Sequence, residues 1–309
     1  MGYATPLESR IAKKTTRAIL DFQMIEAGDR VMVGLSGGKD SWALLQILHV
    51  LQRRAPIDFT IVAVTVDSGY ENYRHDLLTK TCAERGWELK IEHTVIGEVM
   101  DDLLDPDATP CSLCARLRRG VLYRLATELG ATKIALGHHS DDFIETLLIN
   151  LFFAGALKAM PAKLLSDDKR HVVIRPLVYV SEEEARLYAK ACELPVIGCC
   201  CPVCGDLSLQ RQRIKRMLMD LERDHPGVKS SLLKALGNVM PRHLLDRRLN
   251  PLENVKHARA SSSPHDTAAL AAMLASDSSE AEPEDAAVPG APLPSRIIPL
   301  VVSHGPSSD

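Results

Sequence analysis

Short apolar runs alternate with longer amphipathic stretches along the first 180 residues of the chain. Each apolar run is bounded by turn-forming residues, as is typical of buried strands, and the stretches between them carry the 3.6-residue period of helices. The predicted strands are RVMVGL (30–35), FTIVAVTVD (59–67), ELKIEH (88–93), TKIALG (132–137) and HVVIRPL (171–177). The predicted helices are 39–54, 74–86, 113–130 and 141–153, with residues 96–112 irregular. This alternation predicts an α/β fold, a doubly wound and mostly parallel sheet with helices on both faces.

The pattern changes near residue 181, where strands give way to helices at 181–193, 207–224 and 227–239. It changes again at Lys256, after which the chain is rich in Ala, Ser and Pro and carries three basic against seven acidic residues. Such a composition favours disorder, apart from a short helix predicted at 266–275. We therefore expect four segments: an N-terminal helix (1–28), an α/β domain (29–180), a small helical C-terminal region (181–255) and a disordered acidic tail (256–309).

Composition favours a globular protein without a membrane span. Hydrophobic residues make up 46% of the 309 residues and charged residues 25%, the balance of a soluble domain. The longest apolar runs are too short to cross a bilayer, and the first residues lack the order of a secretory signal, so we expect a cytoplasmic location. The chain before the tail has a net charge of only +1. A nucleic-acid site would therefore be a local basic patch.

The segment VGLSGGKDSWALL (33–45) joins the first predicted strand to a helix and has the composition of an anion site. Its glycines let the backbone approach a phosphate, the helix N-terminus offers unpaired N–H groups, and a lysine and two serines add donors. The spacing matches neither the GxxxxGK[ST] loop nor the GxGxxG fingerprint. The phosphate-binding residues predicted here are Ser36, Gly37, Gly38, Lys39, Asp40 and Ser41.

The order S-G-G-K-D-S resembles the PP-loop of the ATP pyrophosphatase superfamily, whose members cleave ATP to AMP and pyrophosphate. The resemblance implies that the loop cradles the β- and γ-phosphates, with Lys39 and Asp40 taking part in catalysis. Asp67 ends the second predicted strand, and the carboxyl end of a strand is where such folds contact a nucleotide.

The stretch LGHHSDDFIET (136–146) also joins a strand to a helix and is predicted to belong to the same site. Gly137 permits a close backbone approach, and we count it with the ATP-binding residues. Asp141 and Asp142 could hold Mg²⁺, since carboxylate oxygens are its preferred ligands. We also expect Asp141 to be catalytic. An ordinary helix start with acidic residues in its first turn is the alternative.

Six of the eight cysteines fall in two clusters, CSLC (111–114) and CCCPVC (199–204). Cys82 and Cys192 lie alone in helical stretches and are predicted to be packing residues. A disulfide framework is not expected in a cytoplasmic chain of this size. Two cysteines three residues apart near a helix N-terminus can face one metal. A structural zinc site, an iron–sulfur cluster and a redox pair remain open on spacing alone.

The run TPCSLCARLRRGVLYRLATELGATKIALGHHSDDFIETLLINLFFAG (109–155), with SGGKDS before it and MPAKLLSDD and HVVIRPL after it, closely resembles the tRNA 2-thiocytidine synthetases. The likeness extends from about residue 8 to about residue 245. Members of this family thiolate cytidine 32 in the anticodon loop of tRNA and carry a 4Fe–4S cluster on three cysteines.

The resemblance implies that Cys111 and Cys114 are two of the cluster ligands and that Cys204, in CPVCG, is the third, with Cys201 as the runner-up. Family members usually read Cys-Gly-Ser-Gln where this chain has Gly205-Asp206-Leu207, and the chain adds Cys199 and Cys200. The third ligand therefore stays open among the cysteines of the second cluster.

The resemblance also implies a reaction, in which ATP adenylates the O2 oxygen of cytidine and sulfur held on the cluster then replaces that oxygen. ATP, Mg²⁺ and the 4Fe–4S cluster are its cofactors, and a cysteine desulfurase or another sulfur donor supplies sulfur to a homodimer acting on tRNA. Two basic stretches, CARLRRG and LQRQRIKR, are predicted to contact tRNA phosphates. Their residues are Arg116, Arg118, Arg119, Arg211 and Arg213.

Three other functions fit parts of the pattern. A tRNA 2-thiouridine synthetase of the same superfamily shares the loop, although such relatives often carry N-terminal zinc-binding cysteines, and the first cysteine here is Cys82. A PP-loop ligase without iron–sulfur chemistry has no need of paired cysteine clusters. A non-catalytic, zinc-stabilised RNA-binding module would not need a complete PP-loop.

Overall fold

The computed structural model describes residues 2–70, 73–103, 110–166, 169–198 and 210–249, with the backbone alone at 101–103 and 110–112. The second cysteine cluster and the acidic tail, with its predicted helix at 266–275, lie outside the described residues. Among the described residues, no helix is long and apolar enough to cross a membrane.

Within the described residues, six strands form one sheet in the order β3-β2-β1-β4-β6-β5. The strands are β1 (Arg30–Gly34), β2 (Thr60–Asp67), β3 (Leu89–His93), β4 (Lys133–Ala135), β5 (Lys163–Leu165) and β6 (Val172–Ile174). The helices are α1 (Pro6–Asp21), α2 (Lys39–Gln52), α3 (His75–Arg85), α4 (Ile96–Leu103), α5 (Pro110–Glu128), α6 (Ser140–Phe153), α7 (Glu182–Ala191), α8 (Gln210–Asp224) and α9 (Val228–Leu236). All strand pairs are parallel except that of β5 with β6.

The sheet is covered on both faces, because alternate residues of each strand enter different cores. In β1, Val31 and Val33 belong to the core that contains α1, α2 and α7. Met32, between them, belongs to the core that contains α4 and α5. In β2, Ala63 likewise belongs to the first of these cores and Val64 to the second. Burial on both faces explains why the parallel strands are apolar throughout, and it confirms the predicted doubly wound sheet.

Helices α4 and α5 and strand β5 differ from the sequence prediction. Residues 96–103 form helix α4 where we predicted irregular structure, and α5 begins at Pro110. In α4, Ile96 and Met100 are four residues apart and are both buried, which is the helical spacing of one apolar face. The short edge strand β5 was not predicted. It pairs antiparallel with β6 and is mostly exposed, so it lacks the apolar run of the inner strands.

The helices after the sheet pack against helices that flank it. Residues up to Val239 form one compact unit, in which α7 contacts α1 and α2 while α8 and α9 contact α6. Ser181 caps α7: its hydroxyl accepts a hydrogen bond from the Glu184 backbone N–H at 3.2 Å, and the Glu184 carboxylate accepts one from the Ser181 N–H at 2.9 Å. This capping box begins the helix directly beside the edge of the sheet that carries the candidate site. The described residues 240–249 belong to a second unit.

Candidate functional site

The carboxyl ends of β1, β2 and β4 lie at one edge of the sheet, and the segments that follow these strands form the candidate site. β1 lies between β2 and β4, which is where the strand order reverses and where ligands bind in open α/β sheets. Helix α5 leads into β4 and runs antiparallel to it, as crossover helices do. Its N-terminus therefore lies at the same edge as the loop that follows β1.

The loop after β1 has the geometry of an anion cradle. The Ser41 hydroxyl donates to the Gly38 carbonyl at 2.9 Å and accepts from the Ser36 N–H at 3.2 Å, which closes the turn. Gly37 has a φ of +78°, a conformation that glycine adopts without strain. Gly38 is the N-cap residue of α2, and no side chain of the described residues caps the helix. The first N–H groups of the helix thus remain available to an anion.

The segment after α7 is hydrogen-bonded to this loop and to the helix that follows it. The Ile197 N–H donates to the Gly37 carbonyl at 2.9 Å, and the Trp42 indole donates to the Pro195 carbonyl at 2.9 Å. We did not predict these contacts from the sequence. Because Ile197 is hydrogen-bonded to the PP-loop, the chain leaves this loop directly before Gly198 and the second cysteine cluster.

Gly137, predicted as an ATP-binding residue, makes a close backbone approach to the start of α2. A Cβ at this position would lie 2.9 Å from the carbonyl carbon and oxygen of Asp40 and from the backbone nitrogen of Ser41. Real Cβ atoms do not come so close to backbone atoms. Only glycine therefore lets the loop after β4 touch the PP-loop backbone.

Lys39 lies between two carboxylates at the start of α2. Its Nζ is 3.0 Å from Asp40 Oδ2 and 3.1 Å from Glu182 Oε1. Burial works against the charged form, but the two carboxylates outweigh it and raise the pKa of Lys39 above its usual value. Glu182 also binds Lys215 of α8 at 2.6 Å. Glu182, which the sequence analysis missed, thus joins the PP-loop lysine to the basic helix α8.

Asp141 is buried and its two oxygens are both bonded. Oδ1 lies 2.8 Å from Lys229 Nζ, and Oδ2 accepts a hydrogen bond from the Glu182 backbone N–H at 2.9 Å. Burial disfavours the charged carboxylate, but these two partners outweigh it and lower the pKa of Asp141. Lys229, on α9, was not predicted as a site residue.

Asp142 points to a different set of partners. Its Oδ2 accepts a hydrogen bond from the His139 N–H at 3.0 Å, and its Oδ1 lies 3.1 Å from Arg211 of α8. The oxygens of Asp141 and Asp142 are therefore taken up by cations and backbone donors of the protein. This arrangement does not fit the pair as the carboxylate ligands of Mg²⁺, and we assign no step to that ion.

Two groups beside Asp142, the buried Glu145 and the half-buried His138, were also missed. Burial raises the pKa of Glu145 to about 7, although Arg211 lies 3.4 Å from its carboxylate. Burial, together with the nearby charge of Arg175, lowers the pKa of His138 to about 4. His138 and Glu145 flank the predicted acidic pair in sequence. The polar run that follows the strand could have indicated that both residues belong to the site.

Asp67 ends β2 at the same edge, as predicted. Its Oδ1 accepts a hydrogen bond from the Gly69 N–H at 2.9 Å. Its Oδ2 faces two imidazoles, those of His75 and His93. Burial would raise the pKa of Asp67, but the hydrogen bonds and the imidazoles outweigh it and lower the pKa.

Helix α5 carries both cysteines of the first cluster. Cys111 lies in its first turn and Cys114 one turn later, a spacing that puts them on one face of the helix. Cys114 is half-buried against the core beneath α5. Two cysteines three residues apart at a helix N-terminus fit the donor set of an iron–sulfur cluster, because thiolates are favoured there. The predicted third ligand, Cys204, lies outside the described residues, as does Cys201.

The predicted tRNA-contacting arginines divide into two groups. Arg116, Arg118 and Arg119 lie on α5, exposed or half-exposed, and have no carboxylate partner among the residues described. Arg213 of α8 is exposed in the same way. Arg211 instead forms ion pairs with two carboxylates of α6, Asp142 and Glu145, and these ion pairs connect α8 to α6.

Residues 7–221 match the PP-loop domain family. The chain is 51% identical over 240 residues to the tRNA-cytidine(32) 2-sulfurtransferase of Geobacter metallireducens, covering 78% of this chain and 93% of that protein. It is 48% identical to the protein of the same name from Yersinia enterocolitica, over 81% of this chain and 80% of that protein. The U34-tRNA thiolase NcsA from Methanococcus maripaludis, solved with its [4Fe-4S] cluster, superposes with a TM-score of 0.58 at 28% identity, covering 76% of this chain and 81% of that chain.

Proposed function

The chain belongs to the PP-loop family and, within it, to the tRNA-cytidine(32) 2-sulfurtransferases, so it is a tRNA-thiolating enzyme; on that premise we propose that it uses ATP to convert cytidine 32 of tRNA into 2-thiocytidine. The observation that carries the ATP-dependent part is the SGGKDS turn, with its uncapped helix N-terminus and Lys39 beside it. AMP and pyrophosphate are the other products.

The PP-loop holds the part of ATP that leaves. The free N–H groups at the start of α2 bind the β- and γ-phosphates, and Lys39 neutralises the charge that develops on pyrophosphate. Lys39 now bonds to Asp40 and Glu182. These carboxylates keep it protonated, so that it exchanges a carboxylate oxygen for a phosphate oxygen when ATP enters.

The base is activated at its oxygen. The O2 oxygen of cytidine attacks the α-phosphorus, the bond to pyrophosphate breaks, and an adenylated base results. A sulfur atom from a sulfide donor then bonds to carbon 2, and AMP leaves with the former O2 oxygen. The contact of Gly137 with the start of α2 supports this sequence, because it fixes the phosphate loop against the segment after β4.

Cys111, Cys114 and a cysteine of the second cluster, with Cys204 as our first choice, would hold the 4Fe–4S cluster. When bound, the cluster supplies the coordination site from which sulfur reaches the activated base. Ile197, two residues before the second cysteine cluster, donates its N–H to the Gly37 carbonyl of the PP-loop, and α5 begins next to Cys111. This arrangement supports cluster ligands and ATP sharing one cleft.

The exposed arginines of α5 bind phosphates of the anticodon arm. Arg116 and Arg119 follow the predicted cluster ligand Cys114 within about one and a half turns of helix, so the tRNA backbone they attract lies next to the reacting centre. A cysteine desulfurase or another donor would replace the sulfur after each turnover, and we expect a homodimer.

The test is the nucleoside content of tRNA from cells lacking the gene, complemented with the wild type, with Lys39→Ala or with Lys13→Ala. Lys13 is an exposed residue of α1 and serves as the matched control. We expect 2-thiocytidine at position 32 with the wild type and Lys13→Ala, and a loss of at least 90% (about tenfold) with Lys39→Ala. Thiolation of uridine instead, or full activity of Lys39→Ala, would refute the proposal.

A further inference from the structure

A carboxylate and two imidazoles meet at the carboxyl ends of β2 and β3. Asp67 and His93 are the last residues of these strands and are paired partners in the parallel register. His75 is the first residue of α3, the helix that joins the two strands. Three residues far apart in sequence are thus brought together by the strand register and by the start of the crossover helix.

The three side chains converge on one point. His75 Nε2 lies 2.9 Å and His93 Nδ1 lies 3.0 Å from the same oxygen, Asp67 Oδ2. The three potential ligand atoms are all within 4.8 Å of one another. Donors bound at about 2.0–2.1 Å to one Zn²⁺-like ion are separated by about 2.9–3.4 Å. The distances from the two nitrogens to Oδ2 have this size.

The orientation of His75 does not match an ordinary Asp–His hydrogen bond. Its Nε2 is buried and, within the described part of the chain, forms no aligned hydrogen bond, although Asp67 Oδ2 is only 2.9 Å away. A buried, unpaired nitrogen is costly. A cation between the nitrogen and the oxygen removes this cost, because both lone pairs can then point at the ion.

The surroundings hold the carboxylate in place. Asp67 Oδ1 accepts from the Gly69 N–H at 2.9 Å, which leaves Oδ2 turned toward the imidazoles. The Thr94 hydroxyl donates to the Asp67 carbonyl at 2.6 Å. Gly69 has a φ of +80°, and a Cβ there would lie 2.9 Å from the Thr94 carbonyl oxygen. Contacts that orient the ligating group in this way are usual around metal ions.

We propose that Asp67, His75 and His93 bind a divalent transition-metal ion, distinct from the cysteine-held cluster. Two imidazoles and one carboxylate suit Zn²⁺ or Fe²⁺ better than Mg²⁺ or Ca²⁺, which prefer oxygen ligands alone. The His93 side chain is 71% exposed, so water or substrate can fill the remaining positions. This proposal does not depend on the proposed function.

The ion lies one side chain away from the PP-loop. The Tyr73 hydroxyl donates to the Ser36 carbonyl at 3.1 Å, and its ring packs edge-on against His75 with a centroid distance of 5.0 Å. A bound ion fixes His75 and, through Tyr73, the first residue of the phosphate loop. The site also gives Asp67 a role as metal ligand in place of the direct nucleotide contact that we expected from the sequence.

The test is a titration of the full chain with Zn²⁺ under anaerobic conditions, after reconstitution of the cluster. We compare the wild type with His93→Ala and His75→Asn, and use His225→Ala as the control, since His225 is exposed at the end of α8. All four proteins have the same cysteines, so the difference in bound metal reports this site whether or not a cluster is present. We expect the wild type and His225→Ala to bind one more equivalent than the other two.

Two further measurements keep the test decisive. Zn²⁺ should raise the Tm of the wild type and leave that of His93→Ala unchanged, and the exposure of His93 makes that variant safe for folding. X-ray absorption of the ion that the wild type binds and His93→Ala does not bind should show nitrogen and oxygen ligands only. Equal stoichiometry in the wild type and His93→Ala, or sulfur around that ion, would overturn the proposal and leave an ordinary Asp–His contact.

Discussion

The contact between Gly137 and the start of α2 gives the sharpest prediction about the phosphate loop. In Gly137→Ala the new Cβ would lie 2.9 Å from the backbone of Asp40 and Ser41, whereas ordinary contacts begin at 3.4 Å. None of these atoms is the end of a flexible side chain. The loop after β4 and the N-terminus of α2 must therefore separate by about 0.5 Å, the difference between the two distances.

The size of the effect follows from this displacement. A shift of about 1 Å in a positioning element costs about 100-fold in rate, so half of that predicts a loss of about tenfold in kcat/KM for ATP. Overpacking at a rigid site also lowers the free energy of unfolding by about 1–3 kcal/mol. Gly120→Ala is the matched control, because Gly120 is helical and has no atom within 4 Å of an added Cβ. It should stabilise α5 by up to about 1 kcal/mol.

The assay is tRNA-dependent formation of AMP from ATP, followed as a function of ATP concentration, with urea unfolding of the same proteins. We expect Gly137→Ala to be slower and less stable than the wild type, and Gly120→Ala to match or exceed it in stability. Unchanged kcat/KM and unchanged stability in Gly137→Ala would refute the idea that this contact positions the phosphate loop.

Two other predictions concern buried charges. Because burial raises the pKa of Glu145 from 4.5 to about 7, the folded state binds more protons than the unfolded state between these pH values, and stability falls as pH rises through them. By urea unfolding, Glu145→Gln should be more stable than the wild type by about 1–3 kcal/mol at pH 8, and the two should differ little at pH 4.5. Equal stability at pH 8 would contradict the claim that the charged Glu145 carboxylate is costly to bury. Lys229→Met removes the lysine that pairs with the buried Asp141, so it should lower the free energy of unfolding by about 1–3 kcal/mol at pH 7. Since the pKa of Asp141 is lowered, this difference should shrink below pH 4, and the exposed Lys234→Met should show none of it.

The elements around the PP-loop could be predicted from the sequence because their signals are local. An apolar strand, two glycines and an amphipathic helix follow one another within residues 30–52, and each is recognisable without its neighbours. β5 carries no such signal, since it has three mostly exposed residues and exists because β6 offers an edge. Helix α4 has only eight residues, which is shorter than the 11–18 residues over which a helical period is recognised in a sequence.

The partners of the site residues were not predictable for a different reason. Glu182 reaches Lys39 from α7, and Lys229 reaches Asp141 from α9, across 143 and 88 positions of sequence respectively. His75 and His93 meet Asp67 through the register of two parallel strands. Such contacts depend on how elements pack, which periodicity and spacing do not reveal. The sequence identifies the groups that carry charge, and the fold decides which of them neutralise one another.

The central claim is that ATP cleavage at the PP-loop activates cytidine 32 for thiolation. It is tested most directly in an anaerobic reaction of the reconstituted full chain with unmodified tRNA, ATP and sulfide, in which AMP and thiolated nucleoside are both counted and the modified position is mapped. We predict equal amounts of AMP and 2-thiocytidine, at position 32 alone, and no product without ATP. Thiolation that proceeds without ATP, or AMP formed with no thiolated cytidine, would contradict the account.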